Sequence, residues 1–225
     1  ERIRSTKLGK LLPEDEWQAT GGHDGEDDKF YKYRDQRANV SAFLEHDVLL
    51  KQWTVSLGLM ANLNDGLDTK WRFYPGIDVS YRPTEAWKFF VSWNMGLRMP
   101  TFTDLYYSGA NIEGNSELKP EKTTDYQIGG RYTTRGFIAE VQGFYSHKKN
   151  MIDWVTYNDA NKVSDGIFHS VNFQMDNKGA EINLQMLPRQ LWGDNALVRK
   201  IGVQYSYIYE ESDYDVDVIM SKYAM

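Results

Sequence analysis

The chain has 225 residues, no cysteine and a net charge of −6, which excludes a disulfide-stapled module, a thiolate metal site and, with no basic stripe, a nucleic-acid partner. Hydrophobic residues make up 41% of it, yet no window approaches the roughly 18 consecutive apolar residues of a membrane-spanning helix; a barrel stays open, because alternating strands hide their lipid-facing half in any average. Aromatics reach 14%, with 15 Tyr and 7 Trp, a density ordinary where rings sit at a membrane interface.

In chain order, residues 1–36 are polar and include Gly21-Gly22-His23-Asp24-Gly25-Glu26-Asp27-Asp28, which reads as a loop. From residue 37 onward the period is close to 2, the strand period. Ala38, Val40, Ala42 and Leu44 alternate with Asn39, Ser41, Phe43 and Glu45, and Trp53, Val55, Leu57, Leu59 and Ala61 with Thr54, Ser56, Gly58 and Asn62. Ile77, Val79 and Tyr81 oppose Asp78, Ser80 and Arg82. The clearest run sets Trp87, Phe89, Val91, Trp93, Met95 and Leu97 against Lys88, Ser92, Asn94, Gly96 and Arg98, with Phe90 the exception. Further strands follow at 125–132, 137–146, 181–186 and 200–210, which makes eight, and a ninth starts near Val218. No helix-period stretch of comparable quality appears.

The connections alternate in length. Short links fall at 46–51, 83–86 and 133–136, with a somewhat longer one at 188–195; long polar links fall at 63–70, 101–122, 150–170 and 211–217. Outer-membrane barrels sort their loops this way, tight on one rim and long on the other. Beside the short turns one face ends in rings, Trp53, Tyr81, Trp87, Tyr132 and Phe137, and eight residues further along lie Ala61, Phe73, Met95, Thr124 and Tyr145. Eight residues rise about 26 Å, or about 20 Å when tilted by roughly 40°, near the apolar band of such barrels. The expected fold is all-β: an antiparallel transmembrane β-barrel segment of about eight to nine strands. Closure into a small barrel is disfavoured, because long polar side chains (Lys88, Asn94, Arg98, Glu140, Gln142, Glu181, Gln185) crowd the inward set and suit a wide wet lumen.

Four stretches resemble, in order and spacing, the TonB-dependent receptor family. They are Arg98-Met99-Pro100-Thr101-Phe102-Thr103-Asp104-Leu105-Tyr106-Tyr107; Gly114-Asn115-Ser116-Glu117-Leu118-Lys119-Pro120-Glu121-Lys122; Asn150-Met151-Ile152-Asp153-Trp154; and Asn172 with Gly179-Ala180-Glu181. The resemblance implies a 22-stranded barrel plugged by an N-terminal domain, in the outer membrane of a Gram-negative bacterium, leaning to the cobalamin and siderophore receptor type. It implies a cargo such as cobalamin, a ferric siderophore or haem, and as partners outer-membrane lipid, TonB acting through the plug, and a surface-exposed accessory lipoprotein. On this reading residues 1–36 are an extracellular loop, 37–225 are consecutive barrel strands, and the chain is a fragment: it opens without a signal peptide, stops after an apolar run and lacks the plug.

Arg98, Pro100, Leu118, Pro120, Glu121, Asn172, Gly179 and Glu181 are expected to build the wall. Pro100 has no amide donor and ends a ladder, Pro120 pre-sets φ at the opposite lip of the loop, and Gly179 marks a bulge or a close backbone approach where apolar parity shifts from Val171, Phe173 and Met175 to Ala180 and Ile182. Candidate cargo contacts are the loop rings Phe102, Tyr106, Tyr107, Trp154, Tyr157 and Phe168, flat faces suited to a macrocycle, a siderophore or a sugar. His23, His46, His147 and His169 have no i, i+4 pairing for zinc. Acidic loops at 24–28, 62–68 and 213–217 lack the twelve-residue calcium spacing. No Ser/His/Asp constellation or phosphate-binding glycine loop stands out, so no enzyme, metal site or cofactor is expected. A passive outer-membrane channel and a soluble carbohydrate-binding β-sandwich are the rival readings.

Overall fold

The computed structural model describes residues 1–21, 29–65, 70–158, 166–193, 195 and 197–222. Short strands come first: β1 (Arg2–Ser5), β2 (Lys10–Leu11), β3 (Gln18–Ala19), β4 (Phe30–Tyr31) and β5 (Tyr33–Gln36). Then come β6 (Asn39–Leu49), β7 (Trp53–Asn64), β8 (Arg72–Tyr81) and β9 (Trp87–Arg98), followed by helix α1 (Phe102–Tyr106) and the small β10 (Ser108–Gly109) and β11 (Ile112–Glu113). The chain continues through β12 (Glu121–Thr133), β13 (Phe137–Asn158), β14 (Phe168–Met186), helix α2 (Pro188–Trp192), β15 (Ile201–Tyr214) and β16 (Asp217–Ser221). The eight long strands pair in sequence order, β6-β7-β8-β9-β12-β13-β14-β15, each antiparallel to its neighbour.

Register turns the alternation of single strands into two faces. Val55, Val79, Val91, Ile128, Gly143, Ala180 and Tyr207 are successive cross-strand partners, so one apolar row crosses seven strands. The row beside it is Ser56, Asp78, Ser92, Gln127, Phe144, Gly179 and Ile208, on the other face. On the apolar face Val91 is 48% exposed, Ile128 66% and Val203 59%. A sandwich would bury this face under a second layer; here none of the described residues covers it, as a wall facing lipid requires. The opposite face carries polar ladders. Gln127 Nε2 donates to Gln142 Oε1 at 2.8 Å and Gln142 Nε2 to Glu181 Oε2 at 2.6 Å, while Arg131 faces Glu140 at 3.7 Å. The inward phenylalanines lie over glycines: a Cβ on Gly129 would stand 2.4 Å from Phe90 Cζ, and one on Gly179 2.6 Å from Phe144 Cζ. Phe90 thus breaks the alternation without breaking the fold, its ring covering a bare stretch of the neighbouring strand.

The structure alters several expectations. The long link at 150–170 is largely strand, since β13 runs to Asn158 and β14 begins at Phe168. The alternation fades there because residues 152–156 are buried without a break, so lipid no longer selects every second side chain. The bulge lies in β13 between Lys148 and Met151, with Asn150 at φ 55°, not in β14. Pairing of β14 with β15 is unbroken through Gly179, which is instead a close approach: a Cβ there would lie 2.3 Å from Tyr207 O. Val171, Phe173 and Met175 are the inward set above the lipid band; Phe173 stacks on Tyr214 at 4.5 Å. The ninth strand exists as β16, but it pairs with the far end of β13 (Tyr157 opposite Val218) rather than lining up beside β15. The Asp153 carboxylate holds it there, accepting from Ser221 Oγ at 2.5 Å and from Tyr214 OH at 2.9 Å. Residues 1–36 are less bare than a loop: β1, β5 and β2 form a three-stranded sheet, and β3 pairs with β4. The acidic stretch 24–28 and positions 66–68 lie outside the described residues.

Candidate functional site at the long-loop rim

The segment joining β9 to β12 is built from its own capping chemistry. The Thr101 hydroxyl accepts from the Asp104 amide at 3.1 Å, and the Asp104 carboxylate accepts from the Thr101 amide at 2.9 Å, a reciprocal pair that opens α1. Gly114 and Asn115 donate their amides to Tyr107 O at 2.6 Å and Asp104 O at 2.9 Å, folding the loop back. A Cβ on Gly114 would sit 2.9 Å from three backbone atoms of that loop, so the turn requires glycine.

The motif residues tie this loop to β13 and β14. The Glu121 carboxylate, 5% exposed, takes both an Arg98 guanidinium fork and the Ile152 amide, the latter at 3.0 Å. The Asn172 amide copies a strand edge: Oδ1 accepts from Lys119 N at 2.8 Å, while Nδ2 donates to Lys119 O at 3.1 Å and Asn150 O at 2.9 Å. Asn150 Nδ2 donates to Pro120 O at 3.3 Å, and Ser170 Oγ to Asp104 O at 2.8 Å. Leu118 is buried, its amide donating to Asn115 O at 3.4 Å. Arg98, Pro120, Glu121 and Asn172 therefore meet at one junction, with Leu118 buried in the same loop and Pro100 bound instead by Arg37, whereas Gly179 and Glu181 lie lower in the wall.

The six candidate rings are not one cluster. Among the described residues only Phe102 and Tyr106 stack on one another, with centroids 6.3 Å apart. The Arg37 guanidinium sits 4.8 Å from the Phe102 ring and donates to Pro100 O, and Tyr106 OH donates to Asp35 at 2.6 Å. This pair is thus turned toward the segment before β6. Burial, then the bond to Asp35 and its charge, push the Tyr106 phenol up to about 12. Tyr107 is 38% exposed. Tyr157 packs against His169 at 5.5 Å, and His169 Nδ1 stands 3.6 Å from Glu113. These three line a cavity of about 370 Å³ with Asn115, Glu117 and Ser170. Phe168 is half-buried, its amide on Asn111 O at 3.0 Å. Trp154 is 4% exposed and presents no face to a ligand, which removes it from the candidate set. Sequence reasoning did not single out Asp35, Arg37, Glu113 or Tyr214 as site residues, because each acts across a loop and no spacing announces it. At the other rim, inside the wall, a concavity of about 890 Å³ is lined by Lys51, Arg82, Lys88, Arg131, Glu85 and Glu140 among others.

A twisted antiparallel sheet with one bare apolar face, one polar face, short turns on one rim and a laced loop junction on the other is a stretch of transmembrane barrel wall. Residues 7–223 match the model of the TonB dependent receptor-like beta-barrel family. The chain belongs to that family, whose barrels lie in the outer membrane of Gram-negative bacteria. It is 23% identical over 211 residues to the vitamin B12 transporter BtuB of Photobacterium profundum, covering 80% of this chain and 34% of that protein. It is 31% identical over 72 residues to BtuB of Vibrio vulnificus, covering 32% and 11%. Among solved structures it resembles the ferric enterobactin receptor PfeA of Pseudomonas aeruginosa, with TM-score 0.63, 18% identity, and 92% and 31% of the two chains covered. The siderophore receptor PirA of the same organism gives TM-score 0.63, 15% identity, 79% and 32%. The chain thus spans about a third of the length of the first of these relatives.

Proposed function

We propose that this chain forms part of the wall and the cargo-facing rim of an outer-membrane receptor that takes up a scarce nutrient with energy relayed by TonB. What carries the reading is the family match across residues 7–223, on a sheet whose outward face is bare and apolar. The long-loop rim is then the cell exterior, with residues 1–36 among its loops. The concavity lined by Lys51, Arg82 and Arg131 faces the periplasm and the plug through which TonB acts. The cobalamin transporters and siderophore receptors among its relatives favour cobalamin or a ferric siderophore, with haem as a further cargo class, and a surface lipoprotein is a partner of the same scheme. Cargo meets the exterior rim at Tyr107 and at the Tyr157–His169–Glu113 cavity.

Calorimetry on the full-length receptor with cyanocobalamin, a ferric catecholate and haem tests this. One of them binds with sub-micromolar affinity, and Tyr157→Ala weakens it about tenfold, as the loss of one stacked ring implies. Cells lacking TonB bind that cargo but do not accumulate it. Binding by none of the three, or accumulation that survives without TonB, contradicts the proposal.

A further inference from the structure

On β12 to β15 the outward side chains near the short turns carry no charge: Tyr132, Gly130, Ile128, Tyr126 and Thr124 on β12, and Ile201, Val203, Tyr205, Tyr207 and Tyr209 on β15. Charge first appears at Lys178, eight residues from Met186 along β14. It follows at Lys122, ten residues from Tyr132, and at Lys149, twelve from Phe137. Eight residues project to about 20 Å across the membrane, so the charges begin where the hydrocarbon layer ends. At the matching outward positions the short-turn rim is uncharged, with the rings Trp53, Tyr81, Trp87, Tyr132 and Phe137 beside Met186 and Ile201.

Two of these charges oppose each other. Lys122 and Lys149 are direct cross-strand partners on the outward face, and both are exposed. Directly opposed side chains on one face of an antiparallel pair have Cβ atoms about 4.5–5.5 Å apart, and like charges there repel. Among the described residues no carboxylate forms an ion pair with either. The acids on this face of the paired strands are Asp176, Glu211 and Asp213, the last opposite Gln174 on β14. Asp176 already accepts from His147 Nδ1 at 2.5 Å and from Tyr145 OH at 3.0 Å, and Glu211 stands opposite Asp176, a strand further away. Lys178 leans over the Tyr209 ring at 4.9 Å. The amines thus sit at headgroup depth, on a face that none of the described residues covers, in a spacing that an anion between them would relieve.

We propose that Lys122 and Lys149, with Lys178 lower on the same face, bind the phosphate groups of a glycolipid headgroup in the outer leaflet. The assignment rests on the exterior rim being the one proposed above. Two flexible ammonium groups can close on one phosphate from both sides, and the neighbouring phenols Tyr126, Tyr145 and Tyr209 offer hydroxyls to the sugar. The phosphate comes from membrane lipid, because the face that carries the lysines is continuous with the lipid-facing wall.

The test uses the full-length receptor in nanodiscs, with native mass spectrometry reading bound bisphosphorylated lipid A against lipid A stripped of phosphate. Wild type retains the bisphosphorylated form selectively. Lys122→Gln and Lys149→Gln each lower retention about fivefold, and together about twenty-five-fold; Lys51→Gln at the opposite rim changes nothing. Lys149→Glu separates binding from folding, since it gives Lys122 a partner: the thermal midpoint of the barrel in detergent rises while lipid retention falls. Equal retention by the double variant, equal retention of dephosphorylated lipid A, or displacement by millimolar inorganic phosphate would overturn the proposal. Fractionation of the variants into the outer membrane reports separately on the barrel reading, so failure of one does not mimic failure of the other.

Discussion

Glu121 is where the loop junction depends most on one side chain. Its carboxylate satisfies the buried Ile152 amide while holding the Arg98 fork. Arg98 is half-exposed, its side chain at 53%, so the ion pair itself contributes modestly; the larger cost of losing Glu121 is the amide left without an acceptor, about 1–3 kcal/mol. Glu121→Ala should therefore lower the thermal midpoint of the full-length receptor and speed protease cleavage between β9 and β12. Glu121→Gln, which keeps an oxygen for Ile152, should do clearly less; equal effects would mean that charge rather than the orphaned amide governs. Tyr106 gives the same junction a pH limit. Its docked phenol is raised to about 12, while a free one ionises near about 10. A raised acid favours the docked state as long as the phenol is neutral: that contribution is whole below about pH 10 and is lost as pH climbs through 12. The tyrosinate absorbance of wild type minus Tyr106→Phe should show one phenol titrating near 12, and a midpoint near 10 would remove the Asp35 bond from the account.

At the scale of elements, the inward glycines test the wall more sharply than the apolar rows do. A methyl on Gly179 meets the Tyr207 carbonyl at 2.3 Å, backbone that cannot swing away, whereas on Gly143 the nearest atom lies at 3.7 Å. Gly179→Ala should cost about 1–3 kcal/mol by overpacking, and Gly143→Ala, which points its methyl at lipid, should fall within about 0.5 kcal/mol; denaturant unfolding in lipid vesicles reads both. The same pair shows what the sequence could and could not disclose. Strands between two membrane boundaries announce themselves, because lipid selects Val91, Trp93, Ile128 and Val141 at alternate positions while water selects their neighbours. Past the boundary that selection ends. Ile152, Asp153, Trp154, Val155 and Thr156 are all buried, so the rim ends of β13 and β14 within 150–170 read as a loop and Trp154 as a ligand face. Asp153 pairing with Tyr214 and Ser221, or Arg37 with Phe102, joins residues more than sixty apart, and no periodicity encodes such a meeting. What did survive in the sequence was the motif spacing: Arg98, Glu121 and Asn172 stand at one junction because the register of three hairpins puts them there.

For the molecule as a whole, the sheet is open. Among the described residues β6 pairs only with β7 and β15 only with β14, and both strands are exposed along nearly their whole length, with Phe43 at 76%, Leu44 at 69% and Tyr205 at 58%. Each edge offers a row of amides and carbonyls to any other strand, and the outward face adds a broad apolar surface that water does not tolerate as a monomer. The 225-residue chain produced alone in water should therefore associate edge to edge or precipitate, and detergent should slow precipitation without giving the heat-resistant migration of a closed barrel. Within the full-length receptor the edges are paired and the face is in lipid, so sensitivity moves to the face itself. Ile128→Lys, in the middle of the outward row, should cost about 2–4 kcal/mol, while Gln142→Lys on the wet inner face should cost little. If the chain alone runs as a monodisperse soluble monomer, or if Ile128→Lys is as harmless as Gln142→Lys, the apolar row does not face lipid and the barrel-wall account of these strands fails.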